Sequence, residues 1–80
     1  MVIGRSVDTC NICGSRIREA RIKKKLSQDQ LAAKLQTEGL GVNQNSISRI
    51  ETGKRIVADF ELEPIADALG VDVKWLLQIE

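Results

Sequence analysis

Histidine and tyrosine are absent from this chain, proline occurs once, and the aromatic complement is Phe60 and Trp75 alone. Without histidine the chain lacks the side chain most often used for proton transfer near neutral pH. The carboxylates are scattered without a pairing that suggests acid–base work, and no serine has a base beside it. Gly39-Leu40-Gly41 is too short for a phosphate-cradling loop and follows a helical pattern instead of a strand. Catalysis is therefore not expected, and no cofactor is implied. The shortage of aromatics speaks against the stacking platforms used to bind single-stranded nucleic acid. No apolar run is long enough to span a membrane, and no basic-then-apolar leader opens the chain. A cytoplasmic location is the expectation.

Cysteine is scarce too. Cys10-Asn11-Ile12-Cys13-Gly14 resembles half of a zinc knuckle. A structural zinc site takes four ligands, and here there are two thiols with no histidine. Another subunit or carboxylates would have to complete it. Cys13 also falls on the apolar stripe of the first helix, where a buried cysteine serves as a small hydrophobe. No metal site is assigned, Cys10 and Cys13 being the only candidate ligands. A reversible disulfide is the redox alternative, helped by a helix N-terminus that would favour a Cys13 thiolate.

What is present is an uneven charge distribution. The net charge is +1, but Gly14 to Arg55 carries ten Lys/Arg against four Asp/Glu. Ile56 to Glu80 carries one Lys against six acids. A basic half of this kind suits a polyanion, because phosphate neutralisation supplies much of nucleic-acid affinity. The run Lys23-Lys24-Lys25 on its own reads as a solvated face.

Eighty residues make one domain. Residues 1–10 lack helical periodicity and are expected to form a mobile arm, leaving 11–80 as the domain. The first helix is expected to be capped by Asn11, with Ser15 as the alternative. It buries Cys13, Ile17 and Ala20, turns Arg16, Arg18 and Lys23 outwards, and ends near Lys24 or Lys25. Ser27 and Gln30 make a capping box for the second helix, with Leu26 and Leu31 as its hydrophobic staple. Leu31, Ala32 and Leu35 face inwards, and Gly39 is the stop. Asn43 caps a third helix from Gln44 to about Glu51 that buries Ile47 and Ile50 and ends at Gly53. Asp59 is expected to cap a fourth, with Phe60, Leu62, Ile65, Ala66 and Leu69 in the core. Pro64 should distort it locally or delay its start to Glu63. Gly70 stops it. Asp72 caps a fifth helix, stapled by Val71 and Leu76, whose apolar side is Trp75, Leu76 and Ile79. The expected fold class is all-α: five helices, no strands, no internal repeat.

The second and third helices are two short units, the latter polar outside and followed by Lys54-Arg55, which is the organisation of a helix-turn-helix. Here the chain resembles the lambdoid phage repressor and Cro (XRE-like) DNA-binding family. The matching residues are Ser27-Gln28, Leu31-Ala32, Lys34-Leu35, Ile47-Ser48, Ile50-Glu51 and Gly53-Lys54. Outwards they extend to Arg16-Ile17-Arg18, Arg21, Ile65-Ala66 and Ala68-Leu69-Gly70-Val71. The link between Leu35 and Val42 is longer than the family's usual connector.

The resemblance implies a compact lambda-repressor-like domain with its third helix in a DNA major groove. Gln44, Asn45, Ser48 and Arg49 would read bases, their side chains being able to hydrogen-bond base edges. Gln28, Asn43, Ser46, Lys54 and Arg55 would meet phosphates, which position the domain without specifying sequence. The family pattern further implies an ion pair between Arg21 and Glu51. The expected function is a sequence-specific double-stranded DNA-binding transcriptional regulator, a repressor, acting as a weak homodimer on an inverted repeat. No small-molecule effector can be inferred. Two rival readings stand beside it. One is an interaction module of the same fold, an antitoxin or adaptor, using the acidic C-terminal helices. The other is a redox- or metal-responsive regulator using Cys10 and Cys13.

Overall fold

A computed structural model of the protein describes residues 9–79. The expected arm lies outside the described residues except for Thr9 and Cys10. Those two are docked, with the Cys10 amide donating to the Gly53 carbonyl at 2.8 Å. Five helices follow: α1 Gly14–Lys23, α2 Gln28–Thr37, α3 Gln44–Glu51, α4 Asp59–Leu69 and α5 Val73–Leu76. No strand occurs among the described residues. α1 packs on α3, α4 and α5, while α4 also meets α2 and α5, and α2 meets α3. One core results, from Cys13, Ile17 and Ala20 of the first segment, Leu31, Ala32 and Leu35 of α2, Val42, Ile47 and Ile50 around α3, and Ile65, Ala66, Leu69 and Leu76. No described helix is long and apolar enough to cross a membrane.

The starts of α2 and α3 follow the residue pattern. Ser27 Oγ accepts the Gln30 amide at 3.0 Å, and Gln30 Oε1 accepts the Ser27 amide at 2.8 Å. Asn43 Oδ1 accepts the Ser46 amide at 2.9 Å, and Ser46 Oγ returns the contact to the Asn43 amide at 3.3 Å. Each pair satisfies two amides that the helix itself leaves without partners.

The first helix starts later than expected. Its N-cap position is Cys13, which makes no side-chain cap bond, and Asn11 reaches forward from two residues before it. Asn11 Oδ1 accepts the Gly14 amide at 2.7 Å, while Nδ2 donates to the carbonyls of Ile50 and Arg55 at 3.1 and 2.7 Å. The same side chain therefore caps α1 and ties it to both ends of the segment leaving α3. Gly14 sits so close to α3 that an added Cβ would overlap the Ile50 carbonyl oxygen. Arg16 does not face outwards freely. Its Nη1 donates to the Trp75 carbonyl at 2.8 Å and its guanidinium lies 4.8 Å from the Trp75 ring centroid, a favourable cation–π placement.

The fourth helix differs most from expectation. Its N-cap is Ala58, not Asp59, and α4 runs unbroken through Pro64 from Asp59 rather than starting at Glu63. Glu61 supplies the reciprocal half of a cap, its Oε1 accepting the Ala58 amide at 2.9 Å. The tertiary packing of Ile65, Ala66 and Leu69 offsets the amide that Pro64 lacks. Phe60, expected in the core, is 71% exposed. Leu62, one residue pair along, is half-buried against the core.

Candidate nucleic-acid interface

α3 is held from behind by its apolar side and by one ion pair. Ile47 and Ile50 are buried, and Glu51 closes the helix with its side chain 1% exposed. Arg21 of α1 grips that carboxylate in a bidentate fork, Nε to Oε2 at 2.6 Å and Nη2 to Oε1 at 3.0 Å. A third donor, Nη1, reaches the Leu26 carbonyl at 2.8 Å, where the chain enters α2. The hydrogen bond to Glu51 raises the guanidinium's affinity for its proton.

From Glu51 the network continues outwards to the solvent. Gln28, first residue of α2, donates from Nε2 to Glu51 Oε1 at 3.1 Å. Gln44, first residue of α3, donates from its own Nε2 to Gln28 Oε1 at 2.6 Å. Each amide has two N–H donors and one carbonyl. Gln44 thus keeps one donor and its carbonyl oxygen for a further partner, the pair that matches adenine N7 and N6 in a major groove. Gln28 keeps one donor, which suits a phosphate oxygen.

The remaining outward residues of α3 fall into two groups. Asn45 and Arg49 are exposed, and Ser48 is half-buried. Arg49 is tethered by one long bond, Nη2 to the Lys54 carbonyl at 3.3 Å. Asn43 and Ser46 are occupied with each other in the cap, leaving Asn43 Nδ2 as an outward donor. Lys54 follows the αL glycine Gly53 (φ 77°) and is exposed.

Arg55, expected among the phosphate-binding residues, is engaged within the fold. It forms its own bidentate pair with buried Glu61, both bonds 3.1 Å, and donates to the Ile56 carbonyl at 2.9 Å. With Asn11 on its carbonyl, Arg55 braces the segment between α3 and α4. Sequence reasoning missed this brace because two charged residues six apart across a link carry no periodic signal. The available signal was Glu61 itself, three residues after Ala58 in the position of a reciprocal cap.

The two cysteines stand in different surroundings. Cys13 is buried and Cys10 exposed, both as free thiols. Burial pushes the Cys13 thiol up from its ordinary value, against a smaller opposite effect of a backbone hydrogen bond. Desolvation thus disfavours the Cys13 thiolate that the redox alternative would use. Among the described residues no three His, Cys, Asp or Glu side chains cluster in a way that could hold a metal ion.

The sequence from Ile17 to Leu76 matches the helix-turn-helix family model. The match spans α2 and α3 with the helices that support them, three quarters of the chain. The cap boxes, the exposed polar face of α3 and the all-α arrangement agree with it. This chain belongs to the XRE and lambda-repressor-like helix-turn-helix family of DNA-binding regulators.

Proposed function

We propose that the chain is a cytoplasmic, sequence-specific repressor that reads duplex DNA with α3 and binds an inverted repeat as a homodimer. The observation that carries this reading is the arrangement of Gln44. It stands at the first turn of α3, held by Gln28 and through it by Glu51 and Arg21, with an acceptor and a donor left over. A reader fixed in place before binding loses less side-chain freedom on contact. Gln44, Asn45, Ser48 and Arg49 then face base edges, while Gln28, Asn43, Ser46 and Lys54 meet the backbone. Half-sites of the repeat lie about one helical turn apart. The ten basic residues between Gly14 and Arg55 support the electrostatic part of the affinity.

Selection of bound sites from random duplex DNA at fixed salt tests the reading directly. On the selected site, Gln44→Ala is expected to cost about 1–3 kcal/mol and relax the preference at one base pair. Lys54→Ala should weaken all sequences alike and lower the salt slope by roughly one unit. Arg49→Ala assigns Arg49 to one class or the other. Wild-type affinity and preference in Gln44→Ala would mean that α3 does not read DNA in this way.

A further inference from the structure

Thr9, Cys10 and Asn11 precede the first helix and lie outside the stretch from Ile17 to Leu76 that matches the family. All three nevertheless meet the far end of α3. Thr9 covers Gly53 so closely that an added Cβ there would stand 3.2 Å from its methyl carbon. The Cys10 amide donates to the Gly53 carbonyl at 2.8 Å. Asn11 Nδ2 donates to the carbonyls of Ile50 and Arg55 at 3.1 and 2.7 Å. Two consecutive residues thus bind three carbonyls of the segment from Ile50 to Arg55.

The neighbours of Asn11 fix the orientation of its amide. Its nitrogen faces two carbonyls, which only accept, and its oxygen faces the Gly14 amide, which only donates. Capping α1 needs the oxygen alone, and Asp or Ser would serve that purpose about as well. The two donors are what asparagine adds, and both go to the turn after α3. That turn carries Lys54. The Lys54 amide donates to the Arg49 carbonyl at 2.7 Å, and the carbonyls on either side of it, of Gly53 and Arg55, are bound by Cys10 and Asn11. The Lys54 backbone is therefore held at three points, while the residue itself is exposed.

We propose that Asn11 is a positioning residue for DNA binding, fixing the Ile50–Arg55 turn so that Lys54 meets the phosphate backbone. The inference rests on the reading of Lys54 as a backbone contact and adds a residue that acts through it. A lysine stem is flexible, and ordering it on a phosphate costs side-chain freedom. A turn already ordered adds no backbone cost to that. A loose turn would add one, and the contact would weaken on every duplex alike because phosphates carry no sequence.

The test uses the full chain with Asn11→Asp and, separately, Asn11→Ser. Each keeps an oxygen for the Gly14 amide and loses both donors to the turn. Affinity for the selected site and for an unrelated duplex is measured over a salt series, in the parent, Gln44→Ala and Lys54→Ala backgrounds. Amide hydrogen exchange at Lys54 is followed without DNA, well below the thermal midpoint of every variant. Both variants are expected to bind both duplexes about three- to tenfold more weakly, the scale of one or two hydrogen bonds. The loss should persist in Gln44→Ala and shrink to about twofold or less in Lys54→Ala, since the two residues then act as one unit. Exchange at Lys54 should quicken while amides inside α2 keep their rates. A merely structural role would cost the same with and without Lys54, and that result overturns the proposal. So does parental affinity in both variants, or unchanged exchange at Lys54. A parent chain that binds no selected duplex removes the DNA reading and this role with it, and exchange at Lys54 then shows separately whether Asn11 holds the turn.

Discussion

Cys13 and its neighbour Gly14 show how much a single position can be asked to do. Cys13 carries a thiol but acts as a core side chain, 2% exposed, its ionisation disfavoured by desolvation. Only the thiolate is the reactive form. Alkylation at neutral pH is therefore expected to modify Cys10 quickly and Cys13 only on unfolding, as read by mass spectrometry with and without denaturant. Equal rates for the two thiols would sink this account. Gly14 is required because the Ile50 carbonyl occupies the space of a Cβ. Its sequence gave no hint of that, since a glycine before a helix looks like ordinary loop chemistry. The close approach is a tertiary fact, made by α3 thirty-six residues away.

At the scale of the element, helix ends were more legible than helix faces. Every helix finishes in the same way, with a left-handed residue and a bond from the next amide back five residues. Gly39, Gly53 and Gly70 supply three of these ends, and Lys25 (φ 60°) and Gln78 (φ 62°) the other two. The glycines announced themselves; the Lys and Gln did not, because neither residue type favours a positive φ. Phe60 was misplaced by the opposite error, an apolar type counted as core without regard to angle. Leu62, Ile65, Ala66 and Leu69 follow a three-to-four spacing that Phe60 does not join. Glu61 does lie at the edge of that face, and burial is tolerated because Arg55 and the Ala58 amide satisfy it. Arg55 is the main cause holding the Glu61 carboxyl below its ordinary value near 4.5. A carboxyl depressed in the folded state stabilises the fold fully above its unfolded value, and that contribution is lost as pH falls through the folded one. Glu61→Gln is thus expected to be less stable near neutrality and to show a flatter acid limb, followed by urea unfolding between about pH 6 and pH 3. An acid limb as steep as that of the parent protein would count against it.

For the whole molecule, the Arg21–Glu51 pair is the joint between the supporting helix and the recognition helix. Removing one partner leaves a charge with its side chain almost fully enclosed, and the cost of such a loss is roughly 3–5 kcal/mol. Arg21→Met is expected to lower the thermal midpoint strongly, and Glu51→Gln also, whereas an exposed pair would be worth about 0–1 kcal/mol. Unchanged midpoints in both variants would remove the pair from its structural role. This joint was legible only through family pattern, since nothing local links two residues thirty positions apart. The outward amides of α3 were legible from type and spacing. What the sequence did not carry was their order of connection, from Arg21 through Glu51 and Gln28 to Gln44, because side chains from three helices meet only after folding. One further bond closes the structure at its far side, Gln78 Nε2 to the Ile12 carbonyl at 2.9 Å, with Leu76 fully buried beside it. On a translating ribosome α1, α2 and α3 are made before that bond is possible. Until α5 emerges, the core lacks Leu76, and Arg16 lacks the indole it rests on. The nascent chain therefore carries α3 before the packing that α5 supplies to α1 is in place, and the support behind α3 is complete only once α5 has been made.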